Sequence, residues 1–314
     1  MKSTNLNIIL SILKEEGINR HVICPSINQC TEVLQEINTY FPNAFHSIDE
    51  RSAGYIATGM SAEAQDVVVV WCDGNASFRN LTSALTEAFY RKLPILVITL
   101  ELSGEAIDQS VNPHDILCNR YCIPKFTNRD FIKDVLSHAL ECIHGKIVYP
   151  VLVQIADSGQ ELTIQESDRV TSSLPDDNTC LTKLIPSGSV LVVGKSFASS
   201  CWHETNADML IEPLEGMTAD GRFSILLGSA VVDKDTLHIG VVSVDEITYD
   251  LNMIGNRHVS NNICLVVPRQ KKFYSTNLSD YARSLGWVCS VIENKDSQLE
   301  LKIAKAPQLI EVTI

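Results

Sequence analysis

Apolar residues fall along this chain in two textures. The runs HVICP (21–25), DVVVVWC (66–72), LPILVITL (93–100) and YPVLVQIA (149–156) are short, continuous and rich in Val and Ile. Runs of this kind are strands buried on both faces, as in a parallel sheet. Between them, apolar positions recur at helical spacing. Residues 76–92, ASFRNLTSALTEAFYRK, predict one helix joining two strands. Strand, helix, strand is the βαβ pattern, so the first half reads as an α/β domain.

The texture then changes. Residues 157–180, DSGQELTIQESDRVTSSLPDDNTC, are polar with few large apolar side chains, which predicts a linker or surface crossover. Strand signals resume at 189–196, 236–244, 262–268, 287–293 and 309–314, with helices around 222–232 and 277–286. Each half has a middle strand, a loop, a helix and another strand. Each also closes on a helix followed by Pro (Pro150, Pro307) and a last strand. The repeat is one of pattern with little identity, and it favours two similar α/β domains over one large sheet. The expected division is 1–157, a linker at 158–180, and 181–314.

Composition narrows the function. No charge-free apolar run approaches a membrane span. The amino-terminal residues interleave Asn and Ser with their apolar positions and continue into Lys14, Glu15 and Glu16. They therefore predict a first helix of a cytoplasmic protein and not a leader. The ten cysteines show no C-x-x-C pair and no His cluster at zinc spacing, so free thiols are expected. A formal net charge of −13 argues against a nucleic-acid partner. It also means that an anionic cofactor needs local help, from a metal or from helix N-termini.

The stretch SIDERSAGYIATGMSAEA (47–64) begins a helix, with Ala53, Ile56, Ala57 and Met60 at helical spacing. Ser47 and Glu50 have the S-x-x-E spacing of a capping box, in which each side chain satisfies a first-turn N–H. That box alone asks for no chemistry.

DERSAGYIATGMS and DGNASFRNLTSALTEAFYRKLPILVIT together resemble the pyrimidine-binding domain of thiamine-diphosphate enzymes. Within that family they are similar to the menaquinone-pathway synthases that make succinyl-enolpyruvyl-hydroxycyclohexene-carboxylate. SGSVLVVGKS, MTADGRFSILLGSAV, SVDEITYDLNMI, DYARSLGWVCSVIEN and APQLIEVTI resemble the family's diphosphate-binding domain. The resemblance implies two thiamine-diphosphate-binding-fold domains, each a mostly parallel sheet with helices on both faces. It implies at least a homodimer, with thiamine diphosphate and Mg²⁺ as cofactors and a 2-oxoacid as substrate for decarboxylation or acyl carboligation. The family's middle domain has no room in this linker.

By the same resemblance, Glu50 faces N1′ of the aminopyrimidine. A carboxyl there shifts the 4′-amino group toward the imino form that takes the thiazolium C2 proton. Asp73, Gly74 and Asn75 follow a strand as a turn or pocket wall, and Gly216 and Met217 fall in the second domain's strand-to-helix turn. The metal motif departs from the pattern. Ser243 stands at its glycine and Val244 at its aspartate, and valine cannot ligate a hard cation. Asp245 and Glu246 are adjacent candidates in what reads as a loop, and Arg269 is a guanidinium that can pair with phosphate directly. Asn28 replaces a substrate-binding arginine, and Leu214 replaces another. The menaquinone reaction itself is therefore disfavoured. His114, in the loop VNPHDI, is a further substrate-side candidate. Two readings follow: a shortened thiamine-diphosphate enzyme, or a degenerate non-enzymatic paralogue that keeps the fold and the dimer interface.

Overall fold

The computed structural model describes residues 5–28, 30–73, 76–100, 119–123, 128–144, 150–155, 179–182, 184–197, 200–213, 220–269, 278–292 and 301–313. The chain divides into two compact units, Met1–Asp168 and Arg169–Ile314. Most of the polar stretch expected as a linker lies outside the described residues.

The first unit runs α1 (Asn5–Glu15), β1 (Arg20–Ile23), α2 (Pro25–Asn28), α3 (Thr31–Tyr40), β2 (Phe45–His46), α4 (Glu50–Ala64), β3 (Val68–Asp73), α5 (Ala76–Asn80), α6 (Thr82–Arg91), β4 (Ile95–Leu100), β5 (Asn119–Ile123), α7 (Arg129–His144) and β6 (Val151–Ile155). Its six strands lie in the order β2-β1-β3-β4-β6-β5, paired parallel throughout. Val69 and Trp71 point from β3 into a core built with Ile9, Leu10 and Leu13 of α1 and Leu136 and Ala139 of α7. The alternate residues Val68, Val70 and Cys72 face the other side, where α4 packs. Helices on both faces explain why these strands are apolar without alternation.

The second unit runs α8 (Thr179–Thr182), β7 (Ser189–Val193), β8 (Met209–Ile211), α9 (Arg222–Val232), β9 (Leu237–Val241), α10 (Val244–Tyr249), β10 (Ile263–Arg269), α11 (Leu278–Ser284), β11 (Val288–Ile292) and β12 (Gln308–Thr313). Its sheet is also parallel, in the order β11-β12-β10-β9-β7-β8. Counted from each unit's first strand, this is the order of the first sheet read from the other edge. The repeat of pattern in the sequence is thus a repeat of topology. Both sheets change direction beside their first strand, between β1 and β3 and between β7 and β9. Ligand crevices in open α/β sheets lie outside the carboxyl ends of strands at such a point.

Two sequence expectations are corrected. The helix expected over 76–92 is two helices, α5 and α6, broken at Leu81. The residues 243–246, expected as a loop, start α10.

Candidate functional site

In the first unit the starts of α4 and α5 meet beside the ends of β1 and β3. The first helical residue of α4 is Glu50, but the cap is its neighbour. Asp49 has extended backbone, and its Oδ1 accepts from Ser52 N at 2.7 Å. Asp49 Oδ2 accepts from the Ser52 hydroxyl at 2.8 Å. Ser47 donates its hydroxyl to the Asp49 carbonyl at 2.8 Å. The expected Ser47–Glu50 capping box therefore does not form. An aspartate two residues closer to the helix occupies the N-cap, and aspartate is as good a cap as serine.

This releases the Glu50 carboxylate. It is half-buried, and its Oε1 accepts from the hydroxyl of the buried Ser77 on α5 at 3.3 Å. Cys24 lies behind it. Burial, then Cys72, then the charges of Glu50 and Asp49 push the Cys24 thiol well above the ordinary range. Asp73 ends β3 half-buried, and its N–H donates to Ser26 Oγ at 3.2 Å. The arrangement is a half-buried carboxylate on a helix start with a serine hydroxyl on one oxygen, a group that can share a proton with a ring nitrogen. The aminopyrimidine end of thiamine diphosphate fits that chemistry.

In the second unit the residue topologically equivalent to Glu50, the first of α9, is the buried Arg222. Gly221 before it takes a positive φ of 79°. The buried Asp250 accepts from Ser224 N at 3.1 Å and from the Ser224 hydroxyl at 3.2 Å, which closes this helix start. A complete capping box does occur in the chain, at Ser243 and Glu246. Ser243 Oγ accepts from Glu246 N at 3.2 Å, and Glu246 Oε2 accepts from Ser243 N at 2.8 Å. Glu246 is 1% exposed, Val244 is buried, and only Asp245 of this turn faces solvent. Among the described residues no group of three or more His, Cys, Asp or Glu can hold a metal ion. A hard cation needs several oxygen ligands, so the described residues here do not fit Mg²⁺.

The structure brings Glu50 together with Ser77, and Ser243 with Glu246. Arg269 ends β10 in register with Thr313, and Asn28 ends α2. The side chains of Arg269 and Asn28 lie outside the described residues, as do Gly74, Asn75, His114, Gly216 and Met217 entirely. Sequence reasoning missed Ser77, because a lone helical serine carries no signal. It also missed the Ser243 box, although that box has the same S-x-x-E spacing that was noticed at Ser47.

Comparison with known proteins gives similarities to one family and to one fold. Residues 4–116 match the family described as thiamine pyrophosphate enzyme, N-terminal TPP binding domain. A 2-succinyl-5-enolpyruvyl-6-hydroxy-3-cyclohexene-1-carboxylate synthase of Phocaeicola vulgatus is 30% identical over 105 residues, which is 33% of this chain and 19% of that protein. The synthase of Cytophaga hutchinsonii is 39% identical over 103 residues, 32% of this chain and 18% of that protein. The chain thus matches less than a fifth of the length of these curated relatives. Among solved structures, a protein from Mycobacterium smegmatis provisionally assigned as a thiamin diphosphate-dependent enzyme superposes with a TM-score of 0.74 at 10% identity, over 100% of both chains. The thiamine diphosphate-dependent 4-hydroxybenzoylformate decarboxylase of Rhodococcus jostii RHA1 superposes with 0.68 at 9% identity, over 99% of both. At these identities the superpositions show the fold.

Proposed function

We propose, from a chain whose residues 4–116 carry the thiamine pyrophosphate enzyme N-terminal domain, that this protein is a shortened thiamine-diphosphate-dependent enzyme acting on a 2-oxoacid. The observation that carries this is the freedom of Glu50. A glutamate used as a cap would need no other role, and here Asp49 does the capping. When bound, the cofactor supplies a carbon nucleophile and an electron sink for cleaving or making the bond beside a 2-oxoacid carbonyl. Glu50 holds a proton against the pyrimidine ring nitrogen, and Ser77 steadies its carboxylate from α5. Asp73 stands at the end of β3 as a wall of the same crevice. Arg269 is the residue of the second unit proposed to meet the diphosphate, with Gly216 and Met217 around it, while Ser243 gives its N–H to Glu246 instead. Asn28 and His114 are proposed on the substrate side.

We further propose a cytoplasmic homodimer. Light scattering at micromolar concentration should give at least a dimer, and a stable monomer counts against that part of the reading. Among the described residues no helix is long and apolar enough to cross a membrane.

The Ser243–Glu246 box favours a second reading, a non-enzymatic descendant that keeps the fold. Calorimetric titration of the cofactor-free protein with thiamine diphosphate separates the two. Saturable binding supports the enzyme, and no heat at millimolar cofactor, with and without Mg²⁺, leaves the descendant.

A further inference from the structure

The carboxyl ends of β7 and β9 bound the direction-changing point of the second sheet, where an α/β sheet has its ligand crevice. Gly194, one residue past β7, donates its N–H to Val241 O, the end of β9, at 2.7 Å. Ser243 follows two residues beyond β9. Between these backbone segments lies the Glu246 carboxylate. A Cβ placed on Gly194 would stand 2.2 Å from Oε2, 2.7 Å from Cδ and 2.8 Å from Oε1. All three atoms of the carboxylate therefore lie against the Gly194 backbone, and only glycine leaves them room. Ser243 N, at the start of α10, is already given to Oε2 at 2.8 Å.

We infer that the strand-end crevice of the second unit is closed by the chain's own Glu246, so that neither a divalent cation nor a diphosphate is held between Gly194 and Ser243. The carboxylate takes the place an incoming phosphate oxygen would need, uses the donor it would use, and adds a like charge in a site that water does not screen. While Oε2 accepts from Ser243 N, Glu246 has at most Oε1 for a metal, and one carboxylate oxygen is too few for a hard cation. Among the described residues of this turn, Val244 is buried and its side chain offers no oxygen, and Asp245 alone is too few ligands for a hard cation. The inference concerns the second unit by itself. It stands whether or not thiamine diphosphate binds at Glu50. Under the enzyme reading, it requires that a bound cofactor keep its diphosphate outside this crevice and without a bridging metal.

The test uses the full chain, Mn²⁺ alone and inorganic pyrophosphate alone. Wild type should take up no stoichiometric Mn²⁺ at millimolar ion by electron paramagnetic resonance. Glu246→Ala, which vacates the crevice, should bind pyrophosphate at least about tenfold more tightly than wild type by calorimetry. One equivalent of Mn²⁺ bound by wild type and lost in Glu246→Ala would overturn the inference, as would a folded Glu246→Ala with unchanged pyrophosphate affinity. If Glu246→Ala does not fold, the wild-type Mn²⁺ titration decides alone: no uptake supports closure and one equivalent refutes it. A wild type that binds thiamine diphosphate but no Mn²⁺ keeps both this inference and the enzyme reading. One that binds neither keeps only this inference.

Discussion

Asp49 and Glu50 are neighbouring acids at one helix start with separate work. Asp49→Ala removes the N-cap of α4 and should cost about 1 kcal/mol in urea melts. Glu50→Gln touches no cap and should leave the melt unchanged, while turnover falls by roughly 10²-fold or more. Equal destabilisation by both would return Glu50 to a structural role. His21 makes a different residue-scale prediction. It is stacked on Phe41 at 3.6 Å between ring centroids, accepts from Trp71 Nε1 through Nδ1, and donates through Nε2 to Ile18 O at 2.9 Å. Burial lowers its pKa from 6.5 to about 4, against a smaller opposing effect of the Ile18 carbonyl. The folded form is thus neutral where the unfolded chain is protonated. The stability this provides is complete above pH 6.5 and is lost as pH falls from 6.5 toward 4, up to about 3 kcal/mol. Urea melts across that window should show the loss in wild type, and a His21→Gln variant should flatten it. An equal slope in both would place the titration elsewhere. At this scale the sequence was half legible. Glu50 stood out, but S-x-x-E spacing says nothing about which residue the chain turns on, and Asp49 lies nearer the turn.

Elements were legible where burial is complete. The Val- and Ile-rich runs became β1, β3, β4, β6, β7, β9, β10 and β12, because a strand covered on both faces is apolar at nearly every position, and the run at 287–293 became β11, where Val288 and Val291 are exposed. The short β2, β5 and β8 were not seen. The two residues of β2 and three of β8 are too few for a period and carry half-buried positions at the edges of their sheets, and β5 (NRYCI) lacks a continuous apolar run. The break between α5 and α6 was missed because Leu81, in the middle of the expected apolar stripe, is fully buried and keeps its periodicity. Close packing of α4 on α6 gives a prediction. A Cβ on Gly54 would meet the Ala84 Cβ at 2.6 Å and Leu81 Cδ2 at 3.2 Å. Gly54→Ala should destabilise by about 1–3 kcal/mol through overpacking, although alanine is the better helix former. A stabilised variant in thermal melts would mean the two helices can separate freely.

The whole chain is a duplicated topology whose two crevices have parted. Both sheets have the same strand order, and both place a helix start beside the point where the chain changes direction. In the first unit that start presents the half-exposed Glu50. In the second the corresponding position is the buried Arg222, and the neighbouring helix folds Glu246 back over Gly194. The duplication was legible because strand and helix lengths repeat. The divergence of the two crevices was not, since the filling of one depends on Gly194 and Glu246 meeting across 52 residues of chain. What remains central is whether Glu50 acts on a bound cofactor. Exchange of the C2 proton of thiamine diphosphate, followed by NMR in deuterated buffer with saturating protein, reads that carboxylate without any need to know the substrate. Wild type should exchange the proton much faster than free cofactor, and Glu50→Gln, equally folded and loaded, should be slower than wild type by roughly 10²-fold or more. Equal exchange rates in the two loaded proteins would contradict the account.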